Sequence, residues 1–261
     1  MNTKHTFSVC AYGESEYLER CIQSLKNQTV QSDIIICTST PCDYITRIAE
    51  KYDLNLYVRD GKSDIKDDWN FAYNTAKTDY VTVAHQDDEY DSQYVCSLLK
   101  KAKKYRGDFL MYYPGYRPIK DGQITTDINC RLRAVLRAPM CIPVFANCRF
   151  MKKASLSLGN SICCPGVTYN KKKLGKDVFT SKLKFNIDWD TFLKLAQMKG
   201  RFLYDKRPLV YYRVHDGATS KEFIENHNRV KEDTIMFRKF WPKPVAAFIM
   251  RFYKKAYDTY A

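Results

Sequence analysis

Residues 6–25 read TFSVCAYGESEYLERCIQSL and join two different hydrophobic patterns. The first part, TFSVCA, is an almost continuous apolar run, which is typical of a strand buried on both faces. Beyond Gly13 the apolar side chains recur at the spacing of one helical face, at Tyr17, Leu18, Cys21, Ile22 and Leu25. A buried strand followed by an amphipathic helix is the first unit of a parallel sheet.

The same alternation continues along the chain. Further apolar strand patterns occupy residues 33–38, 54–59 and 80–85, and each is followed by a helical pattern. With right-handed crossovers, these units predict an α/β fold, a Rossmann-like and mostly parallel sheet with helices on both faces. Ligands of such sheets bind beyond the carboxyl ends of the strands. The binding site is therefore expected at residues 11–15, 38–41 and 85–89.

The second half of the chain is less regular. Residues 114–180 contain several prolines and are interpreted as loops, followed by a clear helix at 188–199 and short strands at 201–204 and 209–213. We predict one domain over 1–220, with a nucleotide-binding half at 1–115 and an acceptor half at 116–220. Residues 221–261 are predicted to form a C-terminal helical extension.

Composition limits the classes of partner and the cellular location. The chain has 261 residues, with 43 Lys and Arg against 29 Asp and Glu, so its net charge is +14. This balance favours nucleic acid, anionic lipid or phosphorylated substrates without choosing among them. Ten cysteines without a C-x-x-C pair indicate reduced thiols in the cytoplasm. We find no signal peptide, and no apolar run is long enough to span a membrane.

Two carboxylates stand where the fourth strand ends. The run is His85-Gln86-Asp87-Asp88-Glu89, and paired carboxylates at such a place cannot be buried cheaply. A divalent cation that bridges them to a diphosphate would offset the cost, and Mg²⁺ and Mn²⁺ prefer carboxylate and phosphate oxygens. The alternative is that these acids only cap the next helix. The position after three strand–helix units favours the metal site.

Three motifs in order resemble one known family. These are SVCAYGESEYLERCIQSLKNQT, DDWNFAYNTAKTDYVTVAHQDDEY and DWDTFLKLAQMKGRFLYDKRPLVYYRVHDGATS. Together they resemble the family 2 glycosyltransferases, in particular a subgroup that makes bacterial surface polysaccharides such as capsule, over roughly residues 6–220. The resemblance implies a GT-A fold and an inverting transferase. In one departure, Thr38-Ser39-Thr40 stands where the family usually has Asp-Asp-Gly-Ser, so hydroxyls replace acids.

The resemblance also implies roles for particular residues. Asp188 matches the catalytic base, and Asp88 and His215 match ligands of Mn²⁺ or Mg²⁺. The donor-binding residues expected are Ala11, Tyr12, Glu14, Thr38, Ser39, Asn70, Asp87 and Arg213. For four residues a purely structural role is the alternative. Asp188 would cap its helix, and His215 would only pack against its neighbours. Arg213 would be a surface residue, and Trp69, beside Asn70, would belong to the core.

The implied partners are a nucleotide diphosphate sugar, with a UDP-sugar as the first expectation, and a saccharide or lipid-linked acceptor. Two other functions are open. A nucleotidyltransferase would carry a Gly-rich, basic signature after the first strand, which Tyr12-Gly13-Glu14-Ser15 lacks. A nucleic-acid-binding protein fits the charge, but no binding motif supports it, so we expect no nucleic acid.

The end of the chain predicts an amphipathic helix. Residues 244–260 read PVAAFIMRFYKKAYDTY, which sets Val245, Phe248, Ile249, Phe252, Tyr253 and Ala256 on one face. With its basic flanks, this helix fits an anionic membrane surface at the inner face of the cell membrane. The alternative is a terminal helix that packs on the domain.

Overall fold

The computed structural model describes residues 3–215 and 228–254. Within them the strands are β1 (His5–Ala11), β2 (Asp33–Thr38), β3 (Asn55–Val58), β4 (Tyr80–His85), β5 (Glu89–Tyr90), β6 (Phe109–Lys120), β7 (Gln123–Ile124), β8 (Thr168–Asn170) and β9 (Arg201–Arg213). They form one sheet in the order β3-β2-β1-β4-β8-β6-β9-β5, and β7 pairs with β6. The ladders β1–β2, β2–β3, β1–β4 and β6–β9 are parallel.

Eleven helices are found in the same described ranges. They are α1 (Leu18–Lys26), α2 (Asp43–Lys51), α3 (Ile65–Thr75), α4 (Tyr94–Lys104), α5 (Ile128–Arg137), α6 (Pro143–Asn147), α7 (Arg149–Ala154), α8 (Lys171–Leu174), α9 (Ile187–Ala196), α10 (Asn228–Phe240) and α11 (Lys243–Tyr253). Two hydrophobic clusters form the core: one includes α1, α2 and α4, and the other α3, α9, α10 and α11. The predicted α/β class, with helices on both faces of a mostly parallel sheet, is confirmed.

The register of the parallel strands brings their carboxyl ends together. Ala11 of β1 pairs with Thr38 of β2, and Cys10 pairs with His85 of β4. The three segments expected to bind ligand therefore lie along one edge of the sheet.

The prediction of loops over residues 114–180 was wrong in part. β6 is a long strand that continues through Pro114 and Pro118, next to β9. A proline removes one ladder hydrogen bond, and the register shifts between Pro114 and Tyr116 absorb the mismatch. Opposite the shifts, the two short strands expected at 201–204 and 209–213 are joined as the single strand β9. β6 also crosses the boundary predicted at residue 115; the division into halves stays a prediction.

The C-terminal helix divides its apolar side chains between the core and solvent. In α11, Ala246 and Met250 are buried, whereas Phe248 is 62% exposed and Phe252 57% exposed. The helix therefore packs on the domain, through a face rotated from the one that the sequence pattern predicted. Ala256, which belonged to that predicted face, lies outside the described residues.

Candidate functional site

A cavity of about 660 Å³ opens at the carboxyl ends of β1, β2 and β4. Six residues predicted for the site line it: Ala11, Tyr12, Thr38, Asp87, Asp188 and His215. The other five predicted residues, Glu14, Ser39, Asn70, Asp88 and Arg213, are not part of its wall. The rule that places ligands beyond the ends of parallel strands therefore located the cavity.

Asp88 lies beneath the cavity wall and is fully buried. Its Oδ1 accepts a hydrogen bond of 2.8 Å from the backbone N–H of Arg213, at the end of β9. The Arg213 side chain also donates to the carbonyl of Asp87, at 2.9 Å, and pairs with Glu89. Arg213 thus holds residues 85–89, which we call the acidic turn, against β9. Its guanidinium lies over the Tyr17 ring.

The two neighbouring carboxylates have opposite electrostatic environments. Burial, together with the charge of Asp87, raises the pKa of Asp88 well above its ordinary value. Burial also opposes ionisation of Asp87, but the hydrogen bond from His215, and the charges of His85 and His215, outweigh it and lower its pKa. Asp87 is therefore an anion at the cavity wall, whereas Asp88 is a buried carboxyl whose cost of ionisation the nearby charge of Arg213 does not offset.

His85 completes a candidate cation site with Asp87 and Asp88. The sequence motifs did not predict His85 as a metal ligand. One ligand atom from each of His85, Asp87 and Asp88 lies within 4.8 Å of the others. Two polar atoms of this group, Asp88 Oδ2 and His85 Nε2, are buried without a hydrogen-bond partner. Buried polar atoms are normally paired, and a cation is one group that would satisfy them. The carboxylate and imidazole donors therefore fit a divalent cation.

His215, the predicted metal ligand, contacts Asp87 directly. Its Nε2 lies 3.0 Å from Asp87 Oδ2, and its ring centroid is 5.0 Å from that of Tyr17. The structure thus brings His215 to the acidic turn. Trp69 stacks on His85 with ring centroids 5.1 Å apart, so it both packs and lines the cavity.

Asp188 lines the cavity from the first turn of α9. Burial raises its pKa to about 6, against the hydrogen bonds that it accepts from the N–H of Trp189 and the amide of Asn160. These bonds are 2.7 and 2.6 Å long. A carboxylate of this pKa is ionised at neutral pH and is basic enough to take a proton from a hydroxyl during reaction.

Asn160 was not predicted from the sequence. It reaches Asp188 across 28 positions of the chain and also lines the cavity. It lies in an irregular segment, and no motif or periodic pattern singles it out.

The turn after β1 is held by side chains from two other segments. The amide of Gln86 makes hydrogen bonds of 2.9 and 3.0 Å with the backbone N–H and C=O of Tyr12. The N–H of Gly13 donates to Thr40 Oγ1, also at 2.9 Å. These contacts hold the Tyr12 backbone and leave its side chain 64% exposed at the cavity.

Asn70 has a structural partner instead of facing the cavity. Its amide exchanges two hydrogen bonds with the backbone of Phe179, of 2.8 and 3.0 Å. Glu14 is exposed, and Ser39 is half-buried outside the cavity wall. Their expected roles in donor binding stay predictions.

A mostly parallel sheet with an acidic turn at its carboxyl edge is the arrangement expected of a GT-A glycosyltransferase. The chain belongs to glycosyl transferase family 2, whose model matches residues 6–179. The expected resemblance is confirmed, and the family favours the glycosyltransferase over the nucleotidyltransferase and nucleic-acid-binding alternatives. No curated protein sequence matches the chain.

Solved structures share the fold at low sequence identity. S. aureus TarS 1–349 in complex with UDP-GlcNAc has a TM-score of 0.60 and 15% identity, with 95% of this chain and 70% of that one covered. The mannosyltransferase PcManGT from Pyrobaculum calidifontis, in complex with GDP-Man and Mn²⁺, has a TM-score of 0.62 and 16% identity. That match covers 95% of this chain and 68% of the mannosyltransferase.

Proposed function

We propose that the chain is a metal-dependent, inverting glycosyltransferase that moves a sugar from a nucleotide diphosphate donor to a saccharide or lipid-linked acceptor. The observation that carries the proposal is the group of His85, Asp87 and Asp88 at the edge of the cavity, with two buried atoms that lack partners. A divalent cation, Mn²⁺ or Mg²⁺, would fit there. His215, which contacts Asp87 through Nε2, is the further ligand of the proposal. When bound, such a cation neutralises negative charge on a nucleotide diphosphate.

Asp188 is the proposed base in this reaction. The acceptor hydroxyl attacks the anomeric carbon, a new C–O bond forms, and the bond from that carbon to the diphosphate oxygen breaks. The hydroxyl proton passes to Asp188. Because the hydroxyl attacks from the face opposite the leaving group, the configuration of the anomeric carbon is inverted. The pKa of about 6 and the two hydrogen bonds that orient the carboxylate support this role.

The donor is proposed to be a UDP-sugar, bound along the ends of β1 and β2. Tyr12 offers an exposed ring for a nucleobase, and Thr38 offers a hydroxyl at the cavity wall. The related folds that bind UDP-GlcNAc and GDP-Man support a nucleotide sugar of one of these kinds. Ala11, Glu14, Ser39, Asn70 and Arg213 are the further donor-side residues of the proposal.

The acceptor is proposed to belong to bacterial surface polysaccharide synthesis, with the enzyme in the cytoplasm at the inner face of the cell membrane. No helix within residues 3–215 or 228–254 is long and apolar enough to cross a membrane.

A donor screen tests the proposed function. The melting temperature of the protein is measured with UDP-, GDP-, dTDP- and CMP-sugars, each with Mn²⁺, with Mg²⁺ and with a chelator. We expect a UDP-sugar to raise it, and to do so strongly only when a cation is present. No stabilisation by any of the four classes, with either cation, would contradict the proposal.

A further inference from the structure

Helix α5 exposes an apolar face to solvent and buries the opposite face, which contains an arginine. Ile128, Leu132 and Val135 share one face by their spacing, and they are 69%, 58% and 69% exposed. The opposite face carries Cys130 and Arg137, which are both buried. A surface helix normally turns its apolar stripe to the core. The outward stripe of α5 is therefore unexplained by the packing of the domain.

The exposed apolar surface continues beyond α5. Of the fifteen large hydrophobic side chains that are exposed among the described residues, seven fall within residues 128–158. We call these seven the α5–α7 surface: Ile128, Leu132, Val135, Ile142, Val144, Phe150 and Leu158. Nearly half of the exposed large hydrophobic side chains thus lie in one short segment, and exposed apolar patches mark interaction sites on soluble proteins.

Helix α11 is attached to the end of the same segment. The α10–α11 junction is joined to it because Trp241 Nε1 donates to the carbonyl of Ser157 at 2.8 Å. Gly159 lies against the Tyr253 ring so closely that a Cβ there would be 2.8 Å from it. On its outward side α11 carries two more exposed apolar side chains, Phe248 and Phe252, which contact each other.

The charged residues of these two regions are basic, and the acid nearest in sequence to the start of the α5–α7 surface is Asp127, which caps α5. Residues 128–176 contain no Asp or Glu, and neither do residues 234–257. Arg131, Arg149 and Lys153 are exposed among the apolar side chains of the α5–α7 surface. Aromatic and aliphatic side chains interspersed with Lys and Arg suit the boundary between lipid headgroups and acyl chains. The absence of acids from these stretches makes the surface complementary to anionic lipid.

We propose that the α5–α7 surface and the outward side of α11 dock on an anionic lipid bilayer. The apolar side chains enter the acyl boundary, and Arg131, Arg149 and Lys153 lie against lipid phosphates. α5 also carries Arg133, which lines the cavity, so docking sets the cavity edge at the level of the headgroups. The use of that position for a lipid-linked acceptor rests on the proposed function, whereas the docking itself does not.

The first test removes the apolar contacts. Co-sedimentation of the full chain, without donor, is measured with vesicles of phosphatidylcholine that contain phosphatidylglycerol. We expect Ile128→Gln/Leu132→Gln/Val135→Gln to weaken binding about tenfold or more, because three side chains no longer enter the apolar boundary. The control Val58→Gln/Ile235→Gln changes exposed apolar residues outside the surface and should bind as the unaltered protein does. Unchanged binding by the triple variant would overturn the proposal.

The second test separates the surface from net charge. Arg131→Glu/Arg149→Glu/Lys153→Glu is compared with Lys26→Glu/Lys77→Glu/Lys103→Glu, which changes the net charge equally at exposed sites elsewhere. We expect the first variant to lose far more affinity for the anionic vesicles. An equal loss in both would overturn the proposal, because binding would then depend only on the overall charge.

A second copy of the chain is the competing occupant. Sedimentation velocity would then find dimers that the triple glutamine variant converts to monomers, and vesicle binding would be absent, which overturns the proposal. Circular dichroism and melting temperature check that every variant is folded. The donor screen on the unaltered protein keeps the two proposals distinct. Vesicle binding without donor binding contradicts only the proposed function, and donor binding without vesicle binding contradicts only the docking.

Discussion

Asp188 is the residue on which the proposed chemistry depends most directly. In Asp188→Asn the side chain keeps an oxygen to accept one hydrogen bond but can no longer take a proton. We expect transfer to fall about 10²- to 10⁴-fold while donor binding survives. The rate is measured by release of nucleotide diphosphate, and binding by thermal shift.

A matched control for this variant lies two residues further along α9. Asp190 is buried and paired with Lys194 and Lys239, outside the cavity wall. Asp190→Asn removes an acid from the same helical turn, so it should cost stability but leave transfer close to that of the unaltered protein. Equal losses of transfer in the two variants would mean that Asp188 serves only to stabilise the start of α9.

The pH dependence of transfer follows from the raised pKa of Asp188. The base acts only when ionised, so kcat/KM should fall about tenfold for each pH unit below a midpoint near 6. Asn160 donates to the carboxylate and stabilises its charge, so Asn160→Ala should move that midpoint to higher pH. Asn74→Ala is the control, because Asn74 donates to Asp177, outside the cavity. A midpoint that stays in place in Asn160→Ala would show that another group limits the reaction.

Asp88→Asn tests the cation site with little change of shape. The amide oxygen can still accept from the N–H of Arg213, but the side chain can no longer ionise to bind a cation. We expect the stabilisation by nucleotide diphosphate to lose its dependence on Mn²⁺, while the metal-free protein melts no lower. Asp60→Asn, at an exposed acid outside the cavity, should keep that dependence. Mn²⁺-dependent binding that persists in Asp88→Asn would remove this carboxylate from the site.

At the scale of elements, the pairing of β6 with β9 depends on a glycine. A Cβ at Gly115 would lie 2.9 Å from the carbonyl oxygen of Lys206 and 3.0 Å from that of Arg207. Backbone cannot move aside as a side chain can, so we expect Gly115→Ala to lower the free energy of unfolding by about 1–3 kcal/mol. At Gly166 the nearest atom is a methyl group of Val210, at 3.1 Å, so Gly166→Ala should cost less. Denaturant unfolding compares the two.

Helix α11 contributes to stability through the face that it buries. Met250 is 5% exposed within the core cluster, and we expect Met250→Ala to cost about 2–4 kcal/mol because it leaves a cavity. Phe248→Ala, two residues away on the opposite side of the helix and facing outward, should change the free energy of unfolding by less than about 0.5 kcal/mol. The measurement is again denaturant unfolding, and equal effects would contradict the placement of α11.

Local patterns predicted the elements best where a single element buries a regular face. The apolar runs of β1, β2 and β4, and the stripe of α1, predicted bounds close to those observed. In β6, two prolines argued against a strand, and only the partner β9, some ninety positions away, explains how they are tolerated. The orientation of α11 also depends on distant partners such as Gly159, so its own sequence pattern did not determine which side is buried.

The candidate site was predicted to the extent that it lies at strand ends. Asp87, Thr38 and Tyr12 follow from the sheet rule, whereas Asn160 reaches the cavity through an irregular segment without a motif. Gln86 was quoted within the acidic run, but its contact with Tyr12 spans 74 positions. Such contacts are set by packing of the whole domain and leave no local signal.

At the scale of the whole molecule, the acidic turn and the residue that binds it, Arg213, are far apart in the sequence. The N–H of Arg213 meets Asp88 across 125 positions of the chain. Contacts between residues so far apart form late in folding, because closing a long loop costs entropy before the contact contributes any stabilising free energy. During synthesis on a ribosome, therefore, β1 to β4 can emerge and pair before β9 is available to bind the acidic turn. A nascent chain stalled before residue 213 would hold both carboxylates and lack the strand that orders them, so the proposed cation site could form only after β9 has been synthesised.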